Sequence, residues 1–150
     1  MRHPELAGLE RELRDATSRA ERLVAGASEE QFHRSPGPGR WSAAECIVHL
    51  SLTTLAYLPL IDRALREGRR ADILRLEARP PGRFRRDLVG WFLCRLNEPP
   101  IRRRMRTVPL FLPDSAGSAV ELLDEFRQLQ GALLERVADS EGLDLTRLRV

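Results

Sequence analysis

The sequence predicts an all-α fold, a bundle of up-and-down long helices, and three observations carry that prediction. Apolar and small residues recur at spacings of three and four from Leu6 onward, the stripe of a helix packed on one side. Two capping boxes, Ser42-Ala-Ala-Glu45 and Ser118-Ala-Val-Glu121, mark the starts of two further helices. No stretch shows a convincing strand alternation, and the nearest, residues 108–112, contains a proline.

The first long helix is predicted from Pro4 to Val24. Gly26 ends it, and residues 35–40, Ser-Pro-Gly-Pro-Gly-Arg, cannot continue a regular element because two prolines remove donors and two glycines permit positive φ. We therefore expect a fixed connector before the second long helix. The apolar or small residues of the first stripe are Leu6, Leu9, Leu13, Ala16, Ala20 and Leu23.

The second long helix is predicted from the Ser42 cap to about Gly68, with a kink at Pro59. Trp41, just before the cap, is predicted to be largely buried and to pack against the first turn of the helix as a hydrophobic staple. It is apolar on more than one face, whereas a helix with two neighbours needs only one broad stripe. We therefore expect an open apolar groove that a partner fills. One stripe holds Ala44, Val48, Ser51, Leu55 and Leu58, widened by Ile47 and Ile61, and another holds Leu52, Ala56 and Leu60.

The third long helix follows Ser118 and keeps one apolar face until Gly142. Before it lies a proline-punctuated excursion with one short helix predicted at residues 84–96. Residues 83–106 carry eight arginines against two acidic residues, so their local charge is 8 − 2 = +6. This segment is either a basic amphipathic surface for anionic lipid or nucleic acid, or an aromatic face that closes the bundle. The second interpretation is favoured because no aromatic residue interrupts residues 102–106, and we expect no nucleic-acid partner.

Length and composition predict one domain, residues 1–150. The formal charge is +3, and a chain of 150 residues buries enough surface for a core without disulfides. Cys46 and Cys94 lie in apolar stretches without a CxxC pair, and we interpret them as buried small hydrophobes in a reducing compartment. Because the N-terminus is charged and no run of 18 apolar residues occurs, we expect neither a signal peptide nor a membrane-spanning helix. A cytoplasmic location is therefore predicted.

His49 is the candidate site residue. It lies four residues after Glu45, so both share one face of the second helix, and its sector also holds Leu52 and Ala56. We therefore expect the imidazole to face the interior between helices. From the residues alone, His49 is either a metal ligand or a partly buried histidine that hydrogen-bonds Glu45, the connector or a backbone carbonyl. The capping box with Ser42 is by itself a sufficient reason for a glutamate at position 45.

The segment from Pro36 to Leu50, Pro-Gly-Pro-Gly-Arg-Trp-Ser-Ala-Ala-Glu-Cys-Ile-Val-His-Leu, together with the patterned first helix, resembles the DinB-like (DinB/YfiT) superfamily of bacterial four-helix bundles. The resemblance implies a divalent metal, zinc or nickel, held by one histidine of the second helix and an HxxxH pair on a last helix. By position His49 resembles the first ligand. His3 and His33 match neither of the other two, and the last helix with its HxxxH ligands is absent before Val150.

Two functions follow as expectations. The resemblance implies a divalent-metal-dependent hydrolase or thiol transferase, or a truncated, inactive descendant of one, with a substrate that the sequence does not specify. The alternative is a non-catalytic helical module for binding or dimerisation, since three long helices leave apolar surface uncovered. We expect the chain to be a homodimer or poorly stable, with metal content well below one per chain, because a single imidazole holds a divalent ion weakly.

Overall fold

The computed structural model describes residues 4–73, 107–114 and 116–143. The first three helices are α1 (Pro4–Gly26), α2 (Glu29–His33) and α3 (Ala43–Ile73). A 3-10 turn, Pro109–Phe111, and helix α4, Ala119–Asp139, follow in the later ranges. These ranges contain no strand, and the predicted all-α bundle is confirmed. The short helix predicted at residues 84–96 and Cys94 lie outside the described residues.

Side-chain caps start three of these helices. The Ser42 Oγ accepts a hydrogen bond from the Glu45 amide at 3.2 Å, and the Glu45 carboxylate accepts one from the Ser42 amide at 2.6 Å. The same reciprocal pair links Ser118 to the third residue of α4, so both predicted capping boxes are confirmed. A third box, in which Ser28 pairs with Gln31, opens α2. The sequence predicted only a connector between the first two long helices, and α2 was not predicted.

Helix α4 packs against both α1 and α3. Ala44 and Ala119, near the starts of α3 and α4, belong to one apolar cluster, and Asp62 pairs with Arg136 at 3.0 Å nearer their ends. The two helices therefore run in the same direction. Such a pair needs a long connection, and residues 74–118 separate them in sequence. Helix α1 runs the opposite way, because Ala20 near its end lies in the same cluster.

One cluster of buried apolar residues lies at the end of the bundle where α3 and α4 begin, and Leu6, Ala64 and Leu65 are buried outside it. Phe32 of α2 and Phe126 of α4 are 1% and 2% exposed, so the short helix α2 closes this end with one aromatic side chain. The Glu29 carboxylate, on the same short helix, accepts a hydrogen bond from the Ala119 amide at 2.8 Å and caps the start of α4. The cluster comprises Ala20, Phe32, Ala44, Ile47, Ala119, Leu122, Leu123 and Phe126.

Helix α3 continues through Pro59 as predicted and extends to Ile73, beyond the expected end at Gly68. By length and composition alone, residues 43–70 are long and apolar enough to cross a membrane, with a mean hydropathy of 1.5. A core helix of a soluble protein passes the same test, and α3 packs on α4 through an ion pair and the apolar cluster. Its apolar surface is only partly covered within the described residues, since four large side chains stay 46–48% exposed: Leu50, Leu55, Tyr57 and Leu60.

Candidate metal site around His49

His49 lies two turns into α3 and is partly buried. Its ring contacts Trp41, which precedes the helix, and Phe111 of the 3-10 turn. The imidazole is thus withdrawn from open solvent as expected, but it faces the segment around the 3-10 turn rather than another long helix. The reason lies in the helical period, because the positions of α3 that enter the core, Ala44 and Ile47, are on another side of the helix.

One nitrogen of the His49 ring forms a hydrogen bond within the protein. Nδ1 lies 2.9 Å from the main-chain oxygen of Phe111. A carbonyl oxygen only accepts, so Nδ1 carries the proton and donates it, and in the neutral ring Nε2 keeps its lone pair. No second hydrogen bond to this ring occurs among the described residues. Metal-binding histidines commonly have this arrangement, in which one nitrogen donates to a carbonyl and the other faces the ion.

Two aromatic rings frame the imidazole. The centroid of Trp41 is 4.9 Å from that of His49 with an interplanar angle of 53°, and the Phe111 ring stands edge-on at 6.3 Å. Trp41, which the sequence predicted as a largely buried anchor, is of intermediate exposure and lies outside the apolar cluster. From its position just before the Ser42 cap, the Trp41 ring contacts His49 of α3.

The other described histidine, His33, does not join His49. It lies on α2, where its Nε2 is 3.1 Å from the Glu29 carboxylate. Within residues 4–73, 107–114 and 116–143, no group of three or more histidine, cysteine, aspartate or glutamate side chains is placed to hold a metal ion. His3 lies outside these ranges. The described residues therefore supply one candidate imidazole ligand, His49, and no complete ligand set.

Glu45 and Cys46, the nearest polar neighbours of His49 in sequence, have other roles. The Glu45 carboxylate is used by the capping box. Cys46 is exposed, so its interpretation as a buried small hydrophobe is wrong. It lies in an apolar stretch, but the helical period turns it away from the side that Ala44 and Ile47 bury. Partial desolvation, and secondarily the charge of Glu45, raise the pKa of the Cys46 thiol.

The sequence did not predict the Phe111 carbonyl as the partner of His49. No sequence signal for it exists, because every residue has a main-chain carbonyl.

The chain matches the DinB superfamily over residues 12–149. Neither a curated protein nor a solved structure matches it. The match covers most of the chain, including α3 with His49, the 3-10 turn and α4. This protein therefore belongs to the DinB superfamily.

Proposed function

We propose that this protein acts as a divalent-metal-dependent hydrolase or thiol transferase, with His49 as one metal ligand. The observation that supports the proposal best is the state of the His49 ring, with Nδ1 bonded to Phe111 and Nε2 left with a lone pair. Membership of the DinB superfamily agrees with this role, since the resemblance implies a histidine ligand at this position of the second long helix.

The donor set limits what the described residues do alone. A single neutral imidazole binds a labile divalent ion weakly, and further ligands must complete a catalytic site. A bound zinc or nickel ion would supply Lewis acidity and lower the pKa of a coordinated water or thiol. The contribution of this chain is to orient one imidazole and to shield it with Trp41 and Phe111.

The cytoplasmic location remains a prediction.

Zinc and nickel titrations of the purified chain test the proposal, with bound metal measured by elemental analysis after equilibrium dialysis. His49→Ala should abolish the uptake seen in the unsubstituted protein. His33→Ala is the matched control, since it removes a described histidine that pairs with Glu29 instead. Equal uptake by His49→Ala and the unsubstituted chain would contradict the ligand role.

A non-catalytic dimerisation module is the second candidate, and the exposed apolar side chains of α3 favour it. Leu60 is 46% exposed, and three other large side chains of the same helix, Leu50, Leu55 and Tyr57, are 47–48% exposed. If this surface joins two copies, sedimentation should show a concentration-dependent dimer that Leu60→Glu dissociates. Leu9→Glu is the control, because Leu9 is 44% exposed on α1. A monomer at every concentration would exclude the dimer.

A further inference from the structure

We propose that the 3-10 turn Pro109–Phe111 and its two flanking residues form a docking surface for anionic lipid membranes, which the protein contacts without crossing. We call residues 108–112 the apolar turn. The proposal goes beyond the metal-dependent function and does not rest on it, because neither a metal nor the His49 ring takes part in the lipid contact.

Three aliphatic side chains of the apolar turn are open to solvent. Val108 is 54% exposed, Leu110 is 74% exposed and Leu112 is 56% exposed. Leu110 is the most exposed large apolar side chain among the described residues. Soluble proteins seldom leave several large apolar side chains exposed side by side, and such a patch usually marks an interaction surface. The apolar turn is therefore a candidate interaction surface.

The apolar turn is held in one conformation by its own hydrogen bonds and by α3. The Val108 carbonyl accepts from the Phe111 amide at 3.0 Å, and the Pro109 carbonyl accepts from the Leu112 amide at 3.2 Å. The Phe111 carbonyl also accepts from His49 Nδ1 at 2.9 Å, and the Phe111 ring stands edge-on to the imidazole. Phe111 thus anchors the turn while the three aliphatic side chains stay outside. A surface that is ordered before binding loses little conformational entropy when it binds.

The charge of the neighbouring sequence favours an anionic partner. Four of the five residues 102–106 are arginines, and residues 102–114 contain one acidic residue, Asp114, so their local charge is 4 − 1 = +3. Arg106 is four residues before Leu110, and at about 3.6 Å per residue the two Cα atoms lie within about 15 Å of each other in any conformation of the chain. Positive charge therefore stays close to the apolar turn, and it attracts anionic headgroups.

The composition of the apolar turn favours lipid over a protein partner. Its exposed side chains are leucine and valine, which are under-represented among the residues that dominate protein–protein interfaces. Apolar side chains beside a cationic cluster bind the surface of an anionic bilayer, because the first enter the acyl region and the second attracts headgroups. Leu110 inserts deepest, since it is the most exposed of the three. The aromatic residues within 84–92, which favour closure of the bundle, are not part of this surface.

Co-sedimentation of the full chain with vesicles tests the proposal, using phosphatidylcholine vesicles with and without phosphatidylglycerol. The unsubstituted protein should sediment with the anionic vesicles, bind the neutral ones far less, and dissociate as the salt concentration rises. Leu110→Ser should weaken binding to the anionic vesicles by about tenfold or more, because the inserted leucine side chain is lost. Leu9→Ser is the matched control, since Leu9 is 44% exposed on α1 and should leave vesicle binding unchanged.

Circular dichroism should show the same helix content in both variants, because neither leucine belongs to the apolar cluster. A failure of the unsubstituted protein to sediment with anionic vesicles would overturn the proposal. Equal vesicle binding by Leu110→Ser and the unsubstituted protein would also overturn it, since positive charge alone would then explain the attraction. A dimer that Leu110→Ser dissociates, in a protein that binds no vesicles, would assign the apolar turn to a second copy of the chain instead.

Discussion

Ser42→Ala probes the start of α3, which fixes where Trp41 and His49 lie relative to each other. The substitution removes the hydroxyl that accepts from the Glu45 amide at 3.2 Å and leaves that amide without its cap. Loss of such a cap costs about 0.5–2 kcal/mol. Ser42 is 2% exposed, so water does not readily replace the hydroxyl, and we expect about 1–2 kcal/mol, the upper part of that range.

Urea unfolding followed by circular dichroism measures this cost. Ser118→Ala is the comparison, because it removes the equivalent cap of α4 at a site whose cap bonds are exposed. Water can satisfy the amide there, so Ser118→Ala should lower the free energy of unfolding by less than Ser42→Ala. An unfolding midpoint unchanged by Ser42→Ala would refute the argument that this cap anchors α3.

Three further predictions concern the core, an ion pair and the thiol. Phe126→Ala should lower the free energy of unfolding by about 3–5 kcal/mol in urea, because the side chain is 2% exposed in the apolar cluster, and a loss below about 1 kcal/mol would contradict this packing. The hydrogen bonds from Arg136 lower the pKa of Asp62, so this pair's stabilisation is complete above the usual aspartate pKa and is lost as pH falls through the lowered one. When the free energy of unfolding is measured against pH, Asp62→Asn should reduce the loss of stability at acid pH. An unchanged pH dependence would contradict the ion pair. Because the pKa of the Cys46 thiol is raised, iodoacetamide should alkylate it more slowly at neutral pH than it alkylates free cysteine, and equal rates would contradict the desolvation.

Local signals explain what the sequence could predict of the fold. Capping boxes at Ser42 and Ser118 involve residues three apart, so their chemistry is visible in the sequence and both are present in the structure. The stripe of α1 is likewise a local pattern. Helix α2 has five residues, too few to show a period, and only its cap at Ser28 marks it.

The candidate site was predictable only in part, for a different reason. His49 stands out by residue type and by its place after a capping box, but its partner is a main-chain oxygen 62 residues later. No side chain signals which carbonyl that is, although Pro109 and Pro113 mark the turn that presents it. Cys46 shows the converse case, since its apolar sequence neighbours indicated burial and the helical period places it on an exposed side.

A cobalt titration followed by nitrogen-15 NMR of the histidine side chains tests the central claim most directly. Cobalt is paramagnetic and binds sites of the zinc type, so it broadens the resonances of the nitrogen that coordinates it. We expect the resonance of His49 Nε2 to broaden first, while His33, which pairs with Glu29 on α2, keeps its signals. Unaltered His49 resonances at cobalt concentrations that broaden His33 would contradict the claim that His49 is the metal ligand.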